Sequence, residues 1–365
     1  MASDGDGLKA VADKWSAFEP DLERTFFGFP PLNPYRIRTA YGDGPHVERY
    51  KHNRYWPEDS VIESDLAGRN VETVFSLCCG FGHVERHFVK QLKTVKRCLA
   101  VDLAPGAIEA AKQRAAGEGL GDVIDYRVAD LNRYDWAAEA GKYDLVIANG
   151  ALHHLSDLET IIPALKNLLR DGGTLYAGEH VGASHQDYPP RQLELINAMA
   201  WLVPPDMRAR QPRRPAVGLR PLDRVLDVMR GDRHIEDPDT KAAWSPRKRL
   251  AARALRRLFP GTRTGKIRFG LLHDSQRDHL LRTDPSEGVR SADVIPLLRR
   301  HFSTVDVRPY GGGLIAYAID RRFYEKYDAA NPAHVRLLDL ITSLEAHFTA
   351  TGECPMEHAI IVARP

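Results

Sequence analysis

Cysteine is scarce in this sequence: its 365 residues hold four, Cys78, Cys79, Cys98 and Cys354, with no Cys-x-x-Cys pair and no zinc-site spacing. That argues against a secreted disulfide framework and fits a reducing cytoplasm. Long apolar runs are missing as well. No window of about 18 apolar residues occurs, and Met1 to Lys9 is polar and rich in Gly and Asp, with no apolar signal core. Neither a membrane span nor an export signal is expected. Repeats and low-complexity tracts are absent, which excludes solenoid and fibrous architectures. What is present, 43% hydrophobic and 27% charged residues, is the make-up of a globular enzyme or binding protein. The length suits two domains of roughly 150 residues, or one large domain with an insertion.

The net charge is only +2, but it is unevenly spread. Arg208 to Arg263 carries sixteen Lys and Arg against six Asp and Glu, leaving the remainder near −8. Such a segment attracts phosphate, anionic lipid or nucleic acid, or is a solvated insertion. Within it, Arg247 to Phe259 reads as a basic helix.

Between Val71 and Gly182, short β-branched or apolar runs alternate with helical stretches, the pattern of parallel βαβ units. Strands are expected at Val71–Leu77, Lys96–Asp102, Val123–Val128, Tyr143–Ala148 and Thr174–Val181. Helices are expected at Val84–Leu92, at Pro105–Gly117, where proline occupies the first turn, and at Leu158–Leu169, stopped by Asp171-Gly172-Gly173. Outside this region, Leu8–Glu19, Pro190–Leu202, Ala292–His301, Leu314–Tyr327 and Val335–Ala350 read as helices, and Thr304–Val307 and His358–Val362 as strands. Pro20 to Trp56 has no clear period and is expected to pack over the sheet's ligand edge. The expected organisation is an N-terminal cap over 1–66, an α/β core over 67–203, a basic, largely helical inserted lid over 204–290, and a C-terminal part over 291–365 that completes the sheet.

In an open α/β sheet, ligands bind beyond the carboxyl ends of the strands, where the strand order reverses. The first βα turn reads Cys78-Cys79-Gly80-Phe81-Gly82, with two glycines that admit close backbone approach and leave helix amides free. Asp102 lies twenty residues beyond Gly82, at the end of the second strand, where a carboxylate can accept hydrogen bonds from ribose. Leu103 follows it. Ala129-Asp130-Leu131 follows the third strand, where a carboxylate could meet an adenine amine, and Asn149-Gly150 follows the fourth. Cys79, Gly80, Gly82, Asp102, Leu103, Ala129, Asp130, Leu131, Asn149, Gly150 and His153 are therefore the candidate cofactor residues, and a nucleoside-containing cofactor is expected.

These segments, with Leu168-Leu169-Arg170-Asp171-Gly172-Gly173-Thr174-Leu175, resemble the class I S-adenosylmethionine-dependent methyltransferases across about Val71 to Val181. The resemblance implies a Rossmann-like, doubly wound, seven-stranded sheet and S-adenosylmethionine as cofactor. The glycine turn would lie beside the methionine part, Asp102 on the ribose, 129–131 around adenine and 149–152 along the route to the methyl group. Two departures stand out: the family often has Gly where Cys78 stands and Asp or Glu where Ser76 stands. Cys78 is expected to be a small buried thiol rather than a nucleophile. Gly178 to Gly182, Asp284 to Ser291, Tyr310-Gly311-Gly312 and His358 to Arg364 resemble a subgroup often associated with bacterial glycan or secondary-metabolite genes, which leaves the acceptor open.

The resemblance implies methyl transfer to a small molecule, a hydroxyl of a sugar, glycoside or other natural product. His180 is the first candidate for general base, with Glu179 and His154 beside it. Asp284-Pro285-Ser286-Glu287 reads as a helix cap, and Tyr310 with its three glycines as a pocket edge or a turn. His153 and His154 with Asp157 and Glu179 could hold a metal, but neighbouring histidines diverge on a regular helix, so no metal is expected. RNA methylation by the basic segment 208–263 and cofactor binding without methylation are the alternatives; no nucleic-acid module favours the first. The apolar terminal helices could support a homodimer.

Overall fold

The computed structural model describes residues 4–17, 26–50, 57–208 and 284–365. Most of the basic segment and of the expected lid, the expected helix over Arg247–Phe259 included, lies outside the described residues. Helices in chain order are α1 (Asp4–Ala17), α2 (Asn33–Tyr41), α3 (Pro45–Arg49), α4 (Pro57–Ser64), α5 (His83–Leu92), α6 (Pro105–Gly117), α7 (Leu158–Leu168), α8 (Pro190–Leu202), α9 (Val294–His301), α10 (Ile315–Ala318), α11 (Arg321–Lys326) and α12 (Pro332–Ala350). The strands are β1 (Thr73–Leu77), β2 (Arg97–Asp102), β3 (Ile124–Val128), β4 (Tyr143–Asn149), β5 (Leu169–His180), β6 (Thr304–Gly311) and β7 (His358–Arg364).

The seven strands form one sheet in the order β3-β2-β1-β4-β5-β7-β6. The first five are parallel, and β7 runs antiparallel between β5 and β6. The order reverses between β1 and β4, which places the ligand crevice beyond their carboxyl ends. Alternation along each strand sorts the side chains between two cores. Val74, Ala100, Leu145, Ile147 and Tyr176 face the side covered by α5, α6 and α8. Phe75, Leu99, Val101, Val146 and Leu175 face the side covered by α7 and α9.

Several local signals act as their chemistry dictates. Pro105 opens α6, Asp157 caps α7 by accepting from Thr160 N at 3.2 Å, and Asn331 caps α12 just before Pro332. Other expectations need correction. Helix α7 ends at Leu168 and the chain enters β5 directly, so Arg170 to Gly173 lies in the strand and not in a stop loop. The stretch 314–327 is not one helix. It breaks before Asp320, whose side chain accepts from Arg322 N and starts α11 anew. Pro20 to Trp56, as far as it is described, holds two helices, with Tyr35 of α2 against Gly311 of β6 and Phe26 and Phe27 against His358 at the start of β7.

Candidate active site

The turn after β1 is built by backbone strain and by Asp102. Cys78, Gly80 and Gly82 all have positive φ, at 47°, 50° and 70°. A side chain at Gly82 would also collide with the Tyr126 ring, so glycine is required there twice over. Asp102 Oδ2 accepts from Gly80 N and Oδ1 from Ala104 N, both at 2.8 Å, locking the glycine turn to the end of β2. Asp102 stays partly exposed; burial pushes its carboxyl up against the opposing backbone hydrogen bonds, and lone pairs are left for a ligand's hydroxyls. Cys79 N bonds to Val101 O and Ala129 N to Asp102 O, which draws the ends of β1, β2 and β3 together. Burial pushes the thiols of Cys78, Cys79 and Cys98 up, so none is a thiolate nucleophile.

Asp130 turns onto its own loop, accepting from Asn132 N at 3.0 Å, beside the buried Leu131. Asn149 lies over Gly178, where any side chain would strike it, and its Oδ1 is 3.1 Å from the Tyr176 hydroxyl. Gly150 N donates to Gly178 O at 2.7 Å. All the expected cofactor residues thus sit at the carboxyl ends of β1 to β4.

A residue beside the glycine turn that the sequence conceals is Glu85, on the first turn of α5. The Ser76 hydroxyl donates to Glu85 Oε1 at 2.5 Å, and both groups are buried. A carboxylate thus lies beside position 76, where the family often carries one on the strand itself. The missing acid at 76, with a glutamate nine residues on, was the available signal. Burial pushes the Glu85 carboxyl up to about 7, against the opposing effects of the Ser76 hydroxyl and Arg86. A carboxyl raised on folding opposes folding only once it ionises. The penalty is therefore absent below about pH 4.5, grows to about pH 7, and is complete above that. Glu85→Gln should remove roughly 2–3 kcal/mol of pH dependence between pH 5 and 8, measured as denaturant midpoints at the two pH values. An unchanged slope contradicts the assignment.

Beyond β4 and β5 stands a wall of histidine and glutamate. Glu179 Oε1 accepts from Ala151 N at 2.9 Å and Leu152 N at 2.7 Å, and Oε2 accepts from His153 N at 3.4 Å and His153 Nδ1 at 2.7 Å. This buried carboxylate holds the turn after β4 in shape. His154 Nδ1 lies 3.1 Å from the Ser286 hydroxyl, which donates to Asp284 Oδ1 at 2.6 Å. Asp284 in turn binds Lys14 Nζ at 2.8 Å and Trp15 Nε1 at 3.2 Å, tying α1 to the wall, and the Trp15 ring meets His154 edge-on at 5.9 Å. Residues 284–287 therefore form a turn and cap no helix. Burial pushes Asp284 up, but Lys14 and Ser286 hold it below the usual carboxylate range.

Burial and neighbouring His153 lower His154 to about 4, so it is neutral near pH 7. Burial also opposes charge on His153, but the hydrogen bond and charge of Glu179 outweigh it and raise that ring. His180 is engaged at both nitrogens, by the Ser291 hydroxyl at 2.9 Å and by Glu357 Oε2 at 2.8 Å. Tyr310 is buried, and the glycines after it form a turn fastened by Glu345, which accepts from Gly312, Leu314 and Ile315 amides at 2.7 Å.

The strand order, the glycine turn and the acid after β2 define the class I methyltransferase fold. Residues 75–175 match the family model described as a methyltransferase domain, which supports a class I S-adenosylmethionine-dependent methyltransferase. Among curated relatives, an ubiquinone biosynthesis O-methyltransferase of Methylocella silvestris is 35% identical over 167 residues, 45% of this chain and 57% of the relative. The ajmaline N-methyltransferase of Rauvolfia serpentina is 27% identical over 53% of this chain and 64% of its own. A malonyl-[acyl-carrier protein] O-methyltransferase of Paenibacillus is 31% identical over 32% and 42%. The chain spans less than two thirds of each of these relatives. Among solved structures, a geranyl diphosphate methyltransferase aligns over 98% of this chain and 97% of its own at 10% identity, with a TM-score of 0.44. No helix among the described residues is long and apolar enough to cross a membrane.

Proposed function

We propose that this chain transfers the methyl group of S-adenosylmethionine to a hydroxyl of a small-molecule acceptor, a sugar, glycoside or other natural product. The observation that supports this most directly is the adjacency of two surfaces: the Asp102-locked glycine turn, suited to an adenosyl group, and the His153–His154 turn beyond β4. An acceptor oxygen held between them attacks the methyl carbon. The carbon–sulfur bond breaks, its electron pair stays on sulfur as S-adenosylhomocysteine, and the hydroxyl proton passes to solvent water. Alignment and exclusion of water supply most of the rate, because the sulfonium is already a good leaving group.

Of the three residues expected to be catalytic, only His154 stands on the acceptor's side of the crevice, where its Nε2 is the nitrogen left to act on the acceptor directly or through a bound ion. Glu179 is a positioning residue for the turn after β4. His180, with both ring nitrogens engaged, positions the segments of Ser291 and Glu357 and is not the base in this reading. The test is production of S-adenosylhomocysteine from S-adenosylmethionine with a panel of sugars, glycosides and phenols. Acceptor-dependent product is expected. No product with any acceptor, despite cofactor binding, contradicts the reading, and binding of RNA that falls steeply with salt would favour a nucleic-acid acceptor instead.

A further inference from the structure

We propose that His153, His154 and Glu287 bind one divalent first-row transition ion. The three residues bring ligand-type atoms within 4.8 Å of one another. His153 Nε2 lies 3.9 Å from Glu287 Oε1, and His154 Nε2 lies 3.8 Å from Glu287 Oε2. The absence of a metal was expected because neighbouring histidines diverge on a helix. Here each ring is turned by a hydrogen bond on its own Nδ1, and the two rings meet with centroids 4.2 Å apart.

Those same bonds place a proton on each Nδ1. Glu179 can only accept from His153, so Nδ1 of that ring carries a proton, and Nε2 is the nitrogen that a binding ion would take, displacing any proton there. The Ser286 hydroxyl is spent on Asp284, so His154 Nδ1 must donate to Ser286 Oγ, and Nε2 of this neutral ring is a lone pair. Two imidazole Nε2 atoms and a carboxylate therefore face one another at distances too long for a hydrogen bond, an arrangement that a cation satisfies. Fixing the far nitrogen of a ligating histidine by a carboxylate or hydroxyl is the usual outer shell of a metal site. Glu179 belongs to that shell, and Asp157 caps α7 and takes no part.

Two imidazoles and one carboxylate suit Zn²⁺, Fe²⁺, Co²⁺ or Mn²⁺ better than Mg²⁺ or Ca²⁺, which prefer all-oxygen cages. Bonds of about 2.1 Å to a tetrahedral ion set its ligands about 3.4 Å apart. The three ligand atoms, now within 4.8 Å of one another, must draw together to reach that spacing. Three protein ligands leave a position for water or, resting on the methyl-transfer reading, for the acceptor oxygen, whose acidity the ion would raise so that its proton leaves to solvent.

The test uses the full chain without a histidine tag, stripped by a chelator and titrated with Mn²⁺ by electron paramagnetic resonance and with Zn²⁺ by calorimetry, without cofactor or acceptor. One saturable ion per chain and a raised melting temperature are expected. Glu287→Gln, on a partly buried turn, and His154→Ala should each weaken binding roughly a hundredfold, and Ser286→Ala about tenfold. No saturable ion in the wild type, or ion binding by Glu287→Gln equal to wild type, overturns the site. S-adenosylhomocysteine titrations on the same samples keep the two readings apart: ion binding without nucleoside binding upholds the metal site and sinks methyl transfer, and the reverse sinks the metal site alone.

Discussion

Glu179→Ala is expected to lose about 3–5 kcal/mol of stability, because it strips the acceptor from three backbone amides and one imidazole in a buried place. The isosteric Glu179→Gln separates packing from positioning. Its carbonyl oxygen can still accept from Ala151 and Leu152, but its amide group must face His153 Nδ1. That ring then accepts at Nδ1, which fixes its proton on Nε2, toward Glu287. The variant should melt within a few degrees of wild type yet lose roughly 10²–10³ in kcat, with cofactor affinity changed little. Thermal denaturation alongside steady-state kinetics checks this, and a variant that keeps full turnover removes Glu179 as the positioning group.

The second large effect falls on cofactor binding. Asp102→Ala removes the anchor of the glycine turn at Gly80 N and Ala104 N as well as the carboxylate offered to the ribose. S-adenosylhomocysteine binding should weaken by about 1–3 kcal/mol, or roughly 5- to 150-fold. Asp102→Asn, which keeps one acceptor oxygen, should fall between wild type and alanine. Equal affinity in all three proteins would detach Asp102 from the cofactor.

The parallel half of the sheet was legible because β1, β2 and β4 are short, largely buried apolar runs and each parallel strand ends in or is soon followed by Gly, Asp or Asn, signals that need no knowledge of distant residues. The edge of the sheet was less so. Helix α2 carries a buried Arg36 that donates to the Phe26 and Phe29 carbonyls and to Asn33. An arginine satisfied by loop carbonyls has no periodic signature, and it masks the helix's buried face. The wall chemistry was legible as residue types but not as roles. His180 reads as a base until Glu357, 177 residues away, and Ser291 are found on its two nitrogens. Glu287 was invisible as a partner of His153 and His154 because only folding carries the 284–290 turn over the end of β4. Ser76 marked a real departure, and its explanation, Glu85, lay within the same motif.

A crystal structure of the chain with S-adenosylhomocysteine is the most direct measurement. It should show the ribose hydroxyls on Asp102, adenine against 129–131, and the sulfur directed toward the space before His153, His154 and Glu287. A nucleoside bound anywhere else, or a crevice filled by the protein's own side chains, would contradict it.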